Sequence, residues 1–410
     1  MVSSTIDHMV AVTVFLAATL LFIGLFNQTI STAVTYQRHR ALATKASDLL
    51  DGILLSPGNP QNWSFLDGYP TGFGLQDPEF TQYRLSPYSL MRLNSATGTP
   101  VYYPRVNTTY SNITMGFGNY LLVPNSQALN YSFVSKLLGI NGTYGFQLTI
   151  SPIVTVAISK ISNGAPLKFA INVAGSGFPL ANAPISYCFL QVTAGVDEYP
   201  AFTVVNNMTY TNEAGSTVLT FPGVDGETSS YALIVYAHLS GLMGVGYYTH
   251  STQLSEYVVP LVDSFENRSV LIVHGWSIGE PPEDASHSAL FFNSTFVIMT
   301  EDFTLRESPL NSSEGTGKVV YGSGSEKDYA PLTIPTYNPG ILITTYRKGG
   351  TYGAVLMPWG ISSLAFPVVF GGDASQQEWV ATDMRQVTVG GIAYQAQIAV
   401  WSLEGYQVKG

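Results

Sequence analysis

The sequence predicts a mostly β protein: a long N-terminal transmembrane and amphipathic α-helix followed by β-sandwich domains. Three observations predict it. Residues Met9 to Phe26 read MVAVTVFLAATLLFIGLF, 18 residues without a charge. Apolar residues then recur at three- and four-residue steps as far as Leu54. Beyond Pro60, short apolar and polar alternations sit between Gly, Pro, Asn and Asp turn signals, which is the pattern of half-buried strands.

The first unit, residues 1–56, is the helix. At about 1.5 Å per residue the uncharged run covers about 27 Å, close to the roughly 30 Å of a bilayer's hydrocarbon core. A membrane span is expected at about 9–26. Ile30, Val34, Leu42, Ala46, Leu49, Leu50, Ile53 and Leu54 form one stripe of a continuing helix, expected to pack against protein. Ser56-Pro57-Gly58-Asn59-Pro60 ends it, because proline removes a donor and disfavours helix in the residue before it. A cleaved signal needs a basic leader and a shorter apolar run. Met1 to His8 holds no Lys or Arg and carries Asp7, so an uncleaved anchor is expected. Arg38, His39, Arg40 and Lys45 follow the span, and the positive-inside rule alone would place the body in the cytoplasm.

Residues 57–150 open with a Gly, Pro and aromatic stretch from Trp63 to Pro87 that has no period and is expected as loop packed on the helix. A short helix is expected within Ser126 to Leu138. Tyr144 to Ile150 alternates as a strand, with Tyr144, Phe146, Leu148 and Ile150 on one face. This arrangement resembles type IV pilin-like proteins, including archaeal ones. The resemblance rests on the helix Met9 to Leu54 and the Tyr144–Ile150 strand. It implies a small α+β region packed on the second half of the helix. Pilin signals present a Lys/Arg-Gly processing site before the apolar run, and Met1 to His8 lacks one. A pilin-like fold retained in the membrane is therefore expected, with a filament subunit as the alternative.

Residues 151–262 read as a sandwich. Strands are expected at Ile153–Ile158, Leu167–Val173, Ile185–Val192, Thr217–Phe221, Tyr231–His238 and Val245–Thr249. Turn signals at Asn163-Gly164, Gly175-Ser176-Gly177 and Asp225-Gly226 separate them. The stretches Pro179 to Ile185, Thr211 to Thr217 and Tyr231 to Ala237 resemble the bacterial Ig-like and carboxypeptidase-regulatory-like modules of surface proteins. That resemblance implies a spacer or adhesion role. Asn212 and Gly215 are expected where a tight turn wants positive φ.

Residues 263–410 form a C-terminal β-rich domain. Strands are expected at Ser269–His274, Ala289–Met299, Gly340–Tyr346, Val355–Met357, Phe366–Phe370, Arg385–Val389 and Ala393–Trp401. The Ser308–Asp328 stretch reads as loop. Gly353 to Gly372 is apolar, but Pro358, Gly360 and Pro367 interrupt it, so two core strands are expected and not a second span.

Composition narrows the function. Charged residues are 11%, against about 25% in typical domains. A net charge of −10 argues against a nucleic-acid partner. One cysteine, Cys188, permits no intrachain disulfide and reads as a small buried hydrophobe. Asn-X-Ser/Thr sequons fall at Asn62, Asn107, Asn112, Asn130, Asn141, Asn207, Asn267, Asn293 and Asn311, each a candidate glycosylation site on a translocated domain. Sequons without disulfides, behind an anchor, suggest an archaeal surface. They favour the outside for the C-terminal part, against the charges that follow the span.

No catalytic, cofactor or metal site is expected. Val273-His274-Gly275-Trp276 resembles the oxyanion loop of α/β-hydrolases, but that fold also needs a Gly-x-Ser-x-Gly elbow, and Gly322 to Ser325 has the wrong spacing. Gly315 to Lys318 lacks the upstream glycine and following hydroxyl of a phosphate loop. Glu283, Asp284 and His287 lie within five residues and read as a polar loop. The sequence thus predicts a non-enzymatic, single-pass cell-surface protein with a structural or adhesion role. Its expected partners are a lipid bilayer or neighbouring copies through the helix, and cell-surface proteins or glycans through the body. A secreted hydrolase with an unrecognised site is the further alternative.

Overall fold

The computed structural model describes residues 2–79, 82–93, 100–114, 120–278, 281, 283, 285–299, 305–308, 310, 315–322, 328–360, 365 and 367–403. A 53-residue helix, α1 (Val2–Leu54), precedes a body of β-sheets. Two short helices, α2 (Pro87–Met91) and α3 (Tyr131–Leu137), interrupt the sheet segments. Each is capped as its sequence dictates. Ser86 accepts from the Ser89 N–H, and the Asn130 side chain accepts from the Phe133 N–H.

Helix α1 docks by its last four turns. Leu42, Ala46, Leu49, Leu50, Ile53 and Leu54 are all buried, and each large one contributes about 1.5–3 kcal/mol relative to exposure. The expected stripe starts later than its sequence pattern, because Ile30 and Val34 are 47% and 40% exposed and lie clear of the body. The helix rests on Ala381–Val389 and Ile392–Ser402. These belong to a five-stranded sheet in the order Arg84–Leu85, Ala381–Val389, Ile392–Ser402, Tyr144–Pro152, Val368–Gly371. Phe146, Leu148 and Ile150 are fully buried, as their alternation requires.

The chain leaves this sheet at Pro152 and returns at Val368. Two further β units are built mostly from the chain between these points. In the first, Ser216–Phe221, Leu167–Gly175 and Val154–Lys160 form one sheet. Pro200–Tyr210, Pro184–Ala194, Tyr231–Leu239 and Leu242–His250 form the other. Phe169, Ile171, Phe189, Phe221, Tyr231 and Leu233 fill the space between them. This is a sandwich, as the strand spacing implied. Its outer face, with Leu190, Val192, Ile234 and Tyr236, joins the main core of the body.

The second unit packs a six-stranded sheet on a five-stranded one. The first holds Tyr329–Thr333, Ser269–His274, Val258–Ser264, Tyr120–Pro124, Thr108–Thr114 and Val101–Tyr103 in that order. The other centres on Ser288–Met299, Gly340–Lys348 and Thr351–Trp359. Val262, Ile272, Leu290, Phe292, Leu342 and Leu356 share one core.

Hydrogen bonding therefore runs across the expected divisions at 150 and 262. The three strands within 101–124 join strands beyond 258, and the last two strands return to the helix. The expected loop at Ser308–Asp328 contains the strand Thr316–Tyr321, which pairs with Ser288–Asn293. Its alternation is masked by glycine at 315, 317 and 322. The apolar 353–372 stretch divides into two strands, Thr351–Trp359 and Val368–Gly371.

Candidate functional site: an exposed apolar helix

The feature that the fold leaves unresolved is the first half of α1. The helix is long and apolar enough to cross a membrane, and none of its most apolar stretch is buried against the body. Thirteen large apolar side chains between Ile6 and Phe26 are exposed, with Phe15 at 71% and Leu20 at 69%. Leaving such a surface in water costs on the order of 10–20 kcal/mol. The threonines there are internally satisfied. Thr13 and Thr19 each donate to the carbonyl four residues earlier, at 2.8 Å, and Thr29 does the same. A threonine that returns its hydroxyl to its own helix presents only its methyl outward.

The docked half is fixed by polar contacts as well as by the stripe. Arg385, on a sheet strand, donates from Nε to Asp51 at 3.1 Å and from Nη2 to Ser47 at 3.1 Å. Its Nη1 reaches Asp383 at 2.8 Å. These carboxylates, Asp383 first, raise the guanidinium's proton affinity above its ordinary value. The Trp379 ring sits edge-on to His39 at 4.6 Å, and Lys45 lies over the Tyr144 ring. His39 and Lys45 thus lie where the helix meets the body.

The sequons divide by position. Asn62, Asn107, Asn130, Asn141, Asn207 and Asn267 are exposed. Five lie at turns or caps: Asn62 precedes the short helical turn Trp63–Phe65, Asn107 is left-handed with φ 49°, Asn130 caps α3, and Asn141 and Asn267 are turn residues. Asn207 lies on an outer strand. Asn293 differs, because it is half-buried in a central strand and its Nδ2 donates to the Pro200 carbonyl at 3.1 Å. The side chains of Asn112 and Asn311 lie outside the described residues.

Other chemistry-bearing groups gather where sequence reasoning did not place them. Glu256 is buried and pairs with Lys348. Ser288 donates to the same carboxylate and accepts from Lys348 at 3.0 Å. His274 is fully buried, its Nε2 3.4 Å from Glu256, and its Nδ1 accepts from the Trp276 N–H. Burial pushes its pKa down to about 4. The serine hydroxyl is engaged by Glu256 and Lys348 and makes no bond to the imidazole. The nucleophile and base of acyl transfer are therefore not assembled, and the cluster ties the end of one strand to the next sheet. Glu283 and His287 are exposed, and Asp284 lies outside the described residues. Among the described residues no three His, Cys, Asp or Glu side chains are grouped to hold a metal ion.

Cys188 is buried, and burial pushes its thiol up to about 12, so it is protonated at neutral pH. It borders a groove of about 360 Å³ between the two sandwiches, with Phe202 and Val204 on one wall and Val297 and Ile343 on the other. Arg92, unmarked in the sequence, is fully buried. Its guanidinium donates to the carbonyls of Gln127, Trp63, Leu66 and Gly68, closing the aperiodic 61–87 stretch on itself.

No protein-family model matches the sequence, and no curated protein matches it. Among solved structures, trypsin-activated alpha-2-macroglobulin from Escherichia coli is similar over 71% of this chain and 20% of its own, at 10% identity and a TM-score of 0.21. The native form of that macroglobulin gives 70% and 19%, with 9% identity and a TM-score of 0.22. Red sea bream transglutaminase gives 62% and 37%, with 9% identity and a TM-score of 0.18. The chain thus spans about a fifth of the macroglobulin chains, and at these scores the likeness carries no argument about fold or function.

Proposed function

We propose that this chain is a non-enzymatic, single-pass surface protein, held in a membrane by the apolar half of α1 and presenting its β body on the outer side. The carrying observation is the division within one helix. Leu42, Ala46, Leu49, Leu50, Ile53 and Leu54 are buried on a sheet, while the side chains from Ile6 to Phe26 are exposed. A lipid environment supplies the missing burial and matches the length of the uncharged run. The exposed sequons support an outward body and carry glycans in this reading. The sandwiches are spacers that hold an interaction surface away from the lipid.

The test is proteolysis of intact cells that express the full chain. Digestion of the body, with the span left in alkali-washed membranes, is the expected result. A body protected until the cells are lysed would overturn the orientation. The neighbouring-copy reading replaces lipid with other helices around the same exposed surface. Regular fibres in negative-stain images of purified protein would favour it over a membrane anchor.

A further inference from the structure

The strand Pro200–Tyr210 is unlike the other sheet edges. It pairs on one side with Pro184–Ala194, residue for residue through all eleven positions without a bulge. Residues 203 to 208 are exposed in succession, including Val204 at 44%, Val205 at 48% and Met208 at 55%. Both faces of the strand are therefore accessible, the one carrying Phe202, Val204 and Asn206 forming a wall of the groove beside Cys188. It carries no charge, and its one proline stands at the end. Among the described residues several other edges are blunted, and Ser216–Phe221, which is also uncharged, is only six residues long. Tyr329–Thr333 contains Pro331, Arg84–Leu85 and Val101–Tyr103 have two and three residues, and Leu242–His250 lies against Val154–Lys160. Long, regular, uncharged edges invite strand addition, and proteins commonly protect them with charge, proline or bulges.

We infer that Pro200–Tyr210 pairs antiparallel with the same strand of a second copy, joining two four-stranded sheets across a two-fold axis. The sequence of the strand selects that occupant. With Val205 opposite itself, Thr203 meets Asn207, Phe202 meets Met208 and Pro200 meets Tyr210. Each of these is a pair of matched character on one face, which is what stabilises adjacent strands, while Val204 meets Asn206 and Ala201 meets Thr209. The chain carries a net charge of −10, yet here two copies meet without opposing like charges along the strand. The symmetric register makes the contact isologous and closed. Asn207 projects out of the sheet plane, so a sugar there leaves the edge amides and carbonyls open.

One strand pair is smaller than a standard stable interface, so the pairing rests on the anchored reading. Copies held at one height above a shared membrane meet at high effective concentration. The test uses the full chain in membranes with Cys188→Ala and one cysteine introduced at these exposed positions, after confirming that each protein sediments with alkali-washed membranes. Mild oxidation should convert Val205→Cys to a disulfide dimer. Thr203→Cys alone should give at least ten-fold less, and Thr203→Cys mixed with Asn207→Cys should restore it. Val205→Lys added to both members of the mixed pair should abolish the dimer. Membrane-retained Val205→Cys that stays monomeric, or Thr203→Cys alone cross-linking as well, would overturn the pairing and leave the anchor standing. Protein that fails to sediment while Val205→Cys still cross-links would overturn the anchor and leave the pairing standing.

Discussion

At the residue scale, a few polar side chains do work that apolar burial cannot. Arg385 joins Asp51 and Ser47 of the helix to its own strand. Arg385→Ala should cost about 1–3 kcal/mol, read as a lower melting temperature of the detergent-solubilised chain. His274 gives a pH signature with a definite sign. Its folded pKa of about 4 lies below the unfolded value of about 6.5, so the unfolded chain binds the proton first. Its contribution is fully present above about pH 6.5 and lost as pH falls toward 4, approaching about 3 kcal/mol. A His274→Asn variant should flatten that part of the stability profile. Neither role was legible in the sequence: His274 reads as a strand end, and Glu256 and Lys348 lie far from it along the chain. Gly215 was legible, and it sits at φ 70° with a backbone carbonyl 2.8 Å from where a Cβ would be. Asn212 acts differently from expectation. Its side chain accepts from the Ala214 and Ser216 N–H groups, and its φ is not positive.

At the scale of elements, the two halves of α1 should respond oppositely to the same substitution. Leu50→Ala or Ile53→Ala should cost about 2–5 kcal/mol of folding stability, because each vacates a fully packed site. Leu20→Ala or Phe22→Ala should leave the melting temperature of the body unchanged and weaken membrane retention. A double comparison of thermal melts and sedimentation separates the two. The helix was legible because its 3.6-residue period survives wherever one face is buried. Strands with one wet face were legible for the same reason. Pro200–Tyr210 was not, because both of its faces are exposed and no alternation remains. Val258–Ser264 was missed for the opposite reason, as most of its residues are buried on both sides.

At the scale of the molecule, the body is nested. Tyr144–Pro152 and Ile392–Ser402 lie side by side, although most of the chain's β segments fall between them. No local pattern announces such a pairing, which is why the expected divisions followed sequence order and the hydrogen bonds do not. Deleting residues 381 to 410 should therefore unseat α1 and the N-terminal region, not merely trim the C-terminal end. Protease-sensitive sites within 57–90 would reveal this. The central claim concerns what covers the first half of α1, and one measurement addresses it most directly. The full chain and a chain beginning at residue 38 are mixed with lipid vesicles and floated through a density gradient. The account expects the full chain to float and the shortened chain to remain below as a folded protein with a cooperative melt. A shortened chain that floats equally, or a full chain that stays below as a dissolved monomer, would contradict it.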